Sequence, residues 1–398
     1  MTDAWITGVG LLTGLGVDRE STWRRLLRGE SAVREITLFD TAGFRTHLAA
    51  QVDDSVLPPP PLRHLSRASR FALAAADEAL ADAGLTAAAG APWAVVFGGG
   101  AAGLFEAEGF LARRLVRGPL TRGAGELIEV SQDAPGDRVG QWLRLTGPRV
   151  TISTACSSST VAVGLAGEMV RDGEVEVALA GGADALCRLT FAGFNSLRAV
   201  DGERCRPFDR SRAGLNIGEG AAVLVVESAD HARRRGARAL ARVLGYGVTN
   251  DAFHMTQPEP TGAAWERTVR VALADAGVGT DEVGYLNAHG TATEQNDPAE
   301  RAAYARVFGE RLAGLPLSTV KGALGHCLCG AGGIEAAVTT LALARGVLPP
   351  TAGFAEADDG PALDVIAGTG RPCAVDVALS CSFAFGGNSA AIVLGRAP

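Results

Sequence analysis

Short apolar runs of strand length alternate with helical segments along most of this 398-residue chain. Residues 4–9, 149–153 and 377–380 are apolar runs, whereas residues 67–83 and 158–170 have the apolar spacing of helices. Strands that are buried on both faces read as continuous apolar runs, so this alternation is typical of a sheet covered by helices. The sequence therefore predicts an α/β architecture with largely buried sheets.

The length of the chain indicates more than one structural unit. Single hydrophobic cores stop growing at roughly 250–300 residues, and this chain has 398. We predict two domains or two closely packed halves, residues 1–245 and 246–398, although no linker marks the boundary. A run of four prolines at 58–61 suits neither a helix nor a central strand and is predicted to be a surface connection.

Composition excludes several classes of function. The net charge of −7 argues against general nucleic-acid binding, which requires a basic face. The apolar runs are much shorter than the ~20 residues that a membrane span requires, and no basic leader precedes the first one. Seven cysteines without framework spacing are typical of reduced thiols, so we expect a cytoplasmic protein without a membrane segment.

One basic position differs from all the others. Of the 37 basic residues, only Lys321 is a lysine. A compact ammonium group cannot always be replaced by the planar guanidinium of arginine. Lys321 is therefore predicted to occupy a position that requires a point charge.

Cys156 is the first candidate for chemistry. It lies between the predicted strand 149–153 and the predicted helix 158–170, among small residues that permit a sharp turn. The N-terminus of a helix lowers the pKa of a nearby thiol and favours the thiolate. We therefore predict that Cys156 is an exposed nucleophile rather than a small core residue.

Two histidines occur in matching contexts. His289 follows the apolar run 283–287, and His326 follows the run 316–320, each in a glycine-rich loop. Loops at strand ends commonly carry functional residues, and the repeated context favours a joint role. Glu335 is predicted on the following helix, either as a solvated surface charge or as a carboxylate that holds the loop between Lys321 and His326.

Two further segments have open interpretations. The sequence His326-Cys327-Leu328-Cys329 has possible metal ligands, but zinc requires four and no second cluster is evident, so we expect no metal. Residues 380–388 form a predicted turn between two apolar strands and contain Phe383. This turn is either a glycine-rich hairpin with packed rings or a segment that donates a backbone N–H to the nucleophile.

These segments together resemble the β-ketoacyl–acyl-carrier-protein synthases of the elongating type and the ketosynthase subunits of type II polyketide systems. The resemblance covers nearly the whole chain. Its most specific motifs are residues 154–158, 287–293 and 321–326, and it also includes residues 6–10, 180–183, 206–209 and 383–388. It implies a thiolase-like fold: two similar halves in five α-β-α-β-α layers. It also implies a homodimer, or a heterodimer with a related chain-length-factor-like subunit.

The resemblance implies roles for the reactive residues. Cys156 would accept an acyl chain from an acyl carrier protein. His289 and His326 would then promote decarboxylation of malonyl carrier protein and stabilise the enolate, supported by Lys321. Phe383 would be the aromatic gate, and its backbone N–H would join that of Cys156 in the oxyanion hole. This chemistry elongates fatty acid or type II polyketide chains, polyenes among them, and it requires no cofactor.

The resemblance also implies substrate contacts. Thr291 and Thr293 match hydroxyls that bind the pantetheine arm. Ala101 stands where elongating enzymes often carry bulkier residues that line the acyl pocket, so we expect a roomier pocket with Ala101 and Phe385 as binding residues. The turn departs from the usual glycine-rich pattern at Ala384, Asn388 and Ser389.

Two surface clusters of arginine are candidates for docking an acidic carrier protein. One is Arg63, Arg67 and Arg70, which recur at helical spacing, and the other is residues 113–117. Either cluster is equally an ordinary solvated face.

Three alternatives stay open from the sequence alone. A coenzyme A-dependent thiolase would use a second cysteine, and Cys381 is a candidate. A chain-length factor would be a non-catalytic partner, but such subunits lack the cysteine found here at 156. A loading or editing enzyme would keep Cys156 without elongating a chain.

Overall fold

The computed structural model of the protein describes residues 2–57, 64–118 and 123–398. The predicted proline connection at 58–61 and Arg63 lie outside the described residues. No helix within the described ranges is long and apolar enough to cross a bilayer.

Strands and helices alternate through both halves, as the apolar pattern predicts. The strands are β1 (Ala4–Thr13), β2 (Val33–Glu35), β3 (Leu48–Ala50), β4 (Ala94–Gly98), β5 (Arg149–Ile152), β6 (Val177–Asp184), β7 (Ile217–Gly218), β8 (Gly220–Ser228), β9 (Ala241–Asn250), β10 (Tyr285–Asn287), β11 (Pro316–Ser318), β12 (Val347–Leu348), β13 (Asp364–Val365), β14 (Arg371–Pro372), β15 (Val377–Phe383) and β16 (Asn388–Arg396). The helices are α1 (Arg19–Leu27), α2 (Arg67–Ala83), α3 (Leu104–Arg117), α4 (Ala134–Trp142), α5 (Ser158–Arg171), α6 (Arg188–Ser196), α7 (Ala229–Arg234), α8 (Ala263–Ala276), α9 (Asn296–Phe308), α10 (Lys321–Leu324) and α11 (Ala331–Arg345).

The main sheet consists of two similar halves. In the first half, β1 pairs with β8 and β8 with β6, both antiparallel, and β6-β4-β5 continue in parallel. In the second half, β9 pairs with β16 and β16 with β15, both antiparallel, and β15-β10-β11 continue in parallel. The halves meet where β1 and β9 pair antiparallel, with Ala4 opposite Val243. The predicted pair of similar halves is confirmed.

The helices complete five layers. Helices α5 and α11 pack against each other between the two halves of the sheet, where α5 contacts β4 and β9 while α11 contacts β8 and β15. Helices α2 and α4 cover the outer face of the first half, and α8 and α9 cover that of the second. The central layer has no solvent-facing side along most of α11, which explains why its sequence is apolar almost all round.

Some boundaries differ from the sequence pattern. β6 continues through two glycines to Asp184. Gly182 has no room for a side chain because α5 packs directly against the strand: a Cβ on Gly182 would lie 2.8 Å from Cβ of Ser159. The boundary predicted between residues 245 and 246 falls inside β9, the first strand of the second half. The sequence pattern does not predict helices α3, α4, α6, α7 and α10.

Candidate active site

Cys156 lies on a tight 3₁₀ turn, Ala155–Ser157, between β5 and α5. Ala155 has φ of 52°, a left-handed conformation that costs roughly 1–3 kcal/mol for a residue other than glycine. The start of α5 is pressed against β4, because a Cβ on Gly98 would lie 2.6 Å from the backbone nitrogen of Ser159. The packing therefore maintains a strained turn that aims Cys156 into a cavity of about 470 Å³.

The resting charge of Cys156 differs from the sequence prediction. Burial raises the pKa of its thiol to about 11, although the charge of Lys321 and the backbone N–H of Phe385 oppose this shift. Cys156 is therefore a neutral thiol near pH 7. The predicted thiolate is wrong, because desolvation in a closed site outweighs the field of one helix N-terminus.

His289 follows β10 and is almost fully buried. Its Nδ1 lies 3.2 Å from Nζ of Lys321. An ammonium group can only donate, so Nδ1 accepts and the proton of the neutral ring is on Nε2. Burial, followed by the charge of Lys321, holds the pKa of His289 well below its usual value.

His326 reaches the same state in a different way. Its Nδ1 lies 3.2 Å from the backbone nitrogen of Leu328, whose N–H is the donor. Nδ1 therefore accepts in this ring also, and Nε2 has the proton. Burial and the charge of Lys321 lower the pKa of His326 well below its usual value. The pairing of both Nδ1 atoms makes the two neutral rings donors at Nε2.

The three predicted reactive residues share one cavity. Cys156, His289 and His326 all line it. The two imidazole rings lie edge to face, with centroids 5.5 Å apart and planes at 85°. The cavity therefore combines one thiol with two N–H donors that come from separate loops.

Lys321 begins α10 and is buried next to the ring of His289. Its ammonium group forms an ion pair with Glu335 of α11 as well as its hydrogen bond to His289. Glu335 is 1% exposed, so of its two interpretations the buried one applies: it holds the lysine. A guanidinium fork would not fit the same position between one carboxylate and one imidazole.

Two buried carboxylates, which the sequence did not single out, hold the His289 loop. Glu300 of α9 accepts the backbone N–H groups of His289, at 2.7 Å, and Gly290, at 2.8 Å. Asp297 accepts the N–H of Ala292 at 3.0 Å. Burial raises the pKa of Glu300 to about 7. Two acids on the inner face of a helix directly after the histidine motif are the signal that could have identified them.

The turn at 383–388 places two phenylalanines at the site. Phe383 stacks on Trp265 with centroids 4.3 Å apart, and Phe385 stacks on Phe194 at 5.5 Å. The backbone N–H groups of Phe385 and of Cys156 itself both lower the pKa of the Cys156 thiol. The sequence assigns the oxyanion-hole donor to Phe383, which is the last residue of β15, and Phe385 begins the 3₁₀ turn that follows.

The other predicted contacts divide into two groups. Thr291 and Thr293 line the cavity, and their hydroxyls lie 3.0 Å apart. Ala101, which is predicted to bind the acyl chain, does not line this cavity. Its backbone N–H bonds to the carboxylate of Asp184 at 3.0 Å. Cys381 is also outside the cavity and fully buried. Among the described residues, no cysteine other than Cys156 lines the cavity, so none is placed there as the second cysteine of thiolase chemistry.

Burial excludes one residue of the two arginine clusters from docking. Arg67 is 4% exposed and bonds to Glu219 at 2.6 Å, so it is a structural cation rather than a docking residue. Arg113 pairs with Glu126 at 2.8 Å but is exposed like Arg114 and Arg117, so the second cluster stays a candidate for docking. Two other arginines, Arg45 and Arg198, line the cavity itself.

The segment around His326 does not form a metal cluster. Within the described ranges, no group of three or more His, Cys, Asp or Glu side chains converges as metal ligands would. The thiol of Cys327 instead contacts the carbonyl oxygen of Leu324 at 3.7 Å.

Comparison with known families agrees with this geometry. The beta-ketoacyl synthase N-terminal domain matches residues 1–232, and the beta-ketoacyl synthase C-terminal domain matches residues 240–355. The chain therefore belongs to the β-ketoacyl synthase family, and it is an acyltransferase of the ketosynthase type.

Curated relatives and solved structures match the chain over its whole length. The ketoacyl synthase alpha subunit of the tetracenomycin polyketide synthase of Streptomyces glaucescens is 36% identical over 98% of this chain and 96% of that protein. The 3-oxoacyl-[acyl-carrier-protein] synthase 2 of Coxiella burnetii is 34% identical over 98% of each. The ishigamide ketosynthase/chain length factor structure matches with a TM-score of 0.93 and 35% sequence identity. The structure of a type II ketosynthase in complex with its acyl-carrier protein matches with a TM-score of 0.91 and 28% sequence identity. Both structures cover 100% of both chains.

Proposed function

We propose that this protein elongates acyl chains on an acyl carrier protein: Cys156 accepts the chain and the two histidines drive decarboxylative condensation with malonyl carrier protein. The observation that carries the proposal is the shared tautomer. Two neutral imidazoles, each with Nδ1 occupied as an acceptor, present Nε2–H donors in the cavity that contains Cys156.

The first step is transfer of the acyl group. The sulfur of Cys156 attacks the thioester carbonyl, and the resulting oxyanion is stabilised by the backbone N–H groups of Cys156 and Phe385. The bond to the pantetheine sulfur breaks, and the proton of the neutral Cys156 thiol leaves with the pantetheine thiol. The net change exchanges one thioester for another.

The second step begins at the malonyl thioester. Its carboxylate carbon leaves as CO₂, and the bonding electrons pass to an enolate whose oxygen is stabilised by Nε2–H of His289 and of His326. The enolate carbon attacks the thioester carbonyl on Cys156, the carbon–sulfur bond breaks, and the departing Cys156 thiolate takes a proton from water to restore the neutral thiol. Neutral N–H donors suit this step, because they stabilise the negative charge that develops on the enolate oxygen.

Thr291 and Thr293 support a substrate carried on a pantetheine arm. Their hydroxyls lie on the same loop as His289 and face the cavity, where they can bond to the amides of the arm. Arg45 and Arg198, also at the cavity, suit an anionic phosphate or an acidic carrier surface. A similar ketosynthase structure contains its acyl-carrier protein, which agrees with this partner.

A second chain of the same fold is the other partner. Leu111, Leu115 and Val116 of α3 and Leu189 of α6 are exposed apolar side chains, and Glu108 connects the two helices by accepting the N–H of Leu189 at 2.7 Å. Large exposed apolar patches commonly mark protein interfaces. We assign this face to a homodimer or to a heterodimer with a chain-length-factor-like subunit, and we place the reaction in the cytoplasm.

Incubation of the protein with acyl carrier protein and malonyl carrier protein tests the function. We expect intact-mass analysis to show an acyl adduct on the protein and then a β-ketoacyl carrier protein two carbons longer. Turnover of acyl-coenzyme A at an equal rate, with no requirement for a carrier protein, would support the thiolase alternative instead.

A further inference from the structure

A chain of hydroxyl groups continues the hydrogen-bond network beyond Glu335. One carboxylate oxygen of Glu335 bonds to Lys321, and the other lies 3.2 Å from Oγ of Ser382. Oγ of Ser382 in turn lies 2.7 Å from Oγ1 of Thr160. Thr160 is on α5, four residues after Cys156, so the network joins the helix behind the nucleophile to the ring of His289.

The direction of each bond follows from the number of protons. An ionised carboxylate only accepts, so Ser382 donates its single proton to Glu335. Ser382 then has only acceptor capacity left, and Thr160 must donate to it. The chain therefore points from Thr160 through Ser382 to Glu335, an arrangement that favours the ionised carboxylate.

The packing makes room for this chain. A Cβ on Gly332 would lie 2.0 Å from Oγ1 of Thr160, so the hydroxyl fits only because α11 has glycine where it crosses α5. Thr160 and Ser382 are both fully buried. Buried hydroxyls that are part of one connected network are expensive to remove singly, because each leaves a partner unsatisfied.

We propose that Thr160 and Ser382 are positioning residues that keep Glu335 ionised, and that they thereby maintain the Lys321–His289 contact that fixes the donor tautomer of His289. The inference rests on the proposed function, since it assigns this network to decarboxylation. Neither hydroxyl touches substrate. Both act through the carboxylate.

Burial raises the pKa of Glu335, and its bonds to Lys321 and Ser382 oppose that rise. The loss of the Ser382 bond removes support from the charged form and raises the pKa further. When Glu335 is protonated, Lys321 loses its counter-charge and His289 loses its anchor. Decarboxylation that needs ionised Glu335 is therefore lost as pH falls, and the loss begins at higher pH in the variant.

Few other groups titrate near this carboxylate. Among the described residues, the titratable groups around Glu335 are the ammonium of Lys321, the thiols of Cys156, Cys327 and Cys381, the phenol of Tyr285 and, beyond Lys321, the imidazoles of His289 and His326. Burial raises the pKa of each thiol and of the phenol, so these four stay neutral across the acid range. Burial and the charge of Lys321 hold the pKa of both imidazoles well below its usual value, and Ser382 bonds to Glu335 rather than to either ring, so an acid limb that moves in a Ser382 variant is assigned to Glu335.

Two other buried hydroxyl groups of the protein provide matched controls. Ser380 lies two residues before Ser382 on β15 and is equally buried, but within the described residues its hydroxyl has no hydrogen-bond partner. Thr340 of α11 is as buried as Thr160, and its hydroxyl bonds only to the carbonyl of Ala336, at 2.9 Å. Ser380→Ala and Thr340→Val thus remove a buried hydroxyl without touching the network.

The test is the pH profile of malonyl carrier protein decarboxylation from pH 5 to 8, measured as kcat and KM. We expect Ser382→Ala and Thr160→Val to move the acid limb of kcat upward, by about one pH unit for Ser382→Ala, with about tenfold lower kcat below the limb. KM is expected to stay unchanged. Thr160→Ser, which keeps the hydroxyl, is expected to restore the wild-type limb, and Ser380→Ala and Thr340→Val are expected to retain it.

The experiment distinguishes failure of the positioning role from failure of the proposed function. Wild-type limbs in Ser382→Ala and Thr160→Val, or equal shifts in the two controls, would overturn the positioning role while the proposed function stands. Absence of decarboxylation in the wild-type protein would instead overturn the proposed function. Acyl loading of Cys156, followed by intact mass in each variant, shows that the site is folded.

Discussion

The two histidine loops reach the same chemical state by different means. In the first, residues 287–293, the tautomer of His289 depends on the side-chain charge of Lys321 and on the carboxylate behind it. In the second, residues 321–328, the tautomer of His326 depends on a backbone N–H that belongs to its own loop, that of Leu328.

The difference separates an adjustable donor from a fixed one. A backbone N–H does not titrate and is present with any side chain except proline. An ion pair responds to pH and to substitution. We therefore expect His289 to be the ring through which pH and mutation alter decarboxylation, whereas His326 is a nearly constant donor.

Replacement of the nucleophile is expected to have the largest effect, and it separates acyl loading from the decarboxylation that the two histidine loops promote. Cys156→Ala is expected to abolish acyl loading, because no other thiol lines the cavity within the described residues. Both histidines keep their anchors, so decarboxylation of malonyl carrier protein should persist. Intact-mass analysis after incubation with acyl carrier protein measures the loading, and an adduct on this variant would refute the assignment.

Replacement of each ring compares the loops directly. His289→Ala and His326→Ala each remove one donor to the enolate, and each is expected to lower kcat for decarboxylation by about 10²–10³-fold. Acyl transfer, which uses backbone donors, should change far less. A variant that decarboxylates at the wild-type rate would remove that histidine from the mechanism.

Lys321→Arg tests whether only one loop depends on the ion pair. The charge is kept, but the planar fork does not fit between Glu335 and Nδ1 of His289, so decarboxylation should fall by about 10–100-fold. The anchor of His326 is untouched, so the loss should be smaller than that of His326→Ala. Unchanged kinetics would show that the single lysine of the sequence is an accident of composition.

The smallest expected effect concerns substrate binding by the first loop. Thr291→Val and Thr293→Val should each raise KM for malonyl carrier protein about 2- to 10-fold with kcat nearly unchanged, since each loses one neutral hydrogen bond. Thr340→Val, remote from the cavity, is the control. A fall in kcat with constant KM would mean that these hydroxyls act on the chemistry instead.

Much of the site could be predicted because its signals are local. The turn before α5 identifies Cys156, and an apolar strand followed by a glycine-rich loop identifies both histidines. The fold follows from the same alternation of strands and helices, supplemented by a family resemblance over nearly the whole chain.

The rest depends on contacts between distant parts of the chain. The burial that keeps the Cys156 thiol neutral comes from both halves, and the bond between Thr160 and Ser382 joins residues 222 positions apart. The donor to His326 is a backbone atom, which has no sequence signature. The proximity of the Phe385 N–H to the thiol also has no sequence signature, because the path of a turn cannot be predicted to single residues.

The most direct test of the two-donor account is histidine ¹⁵N NMR of the protein at pH 7.5. His289→Gln and His326→Gln provide the assignments. We predict that both rings are neutral with the proton on Nε2, and that in Lys321→Arg only the signals of His289 change. A proton on Nδ1, or an imidazolium, at either position in the wild-type protein would contradict the account.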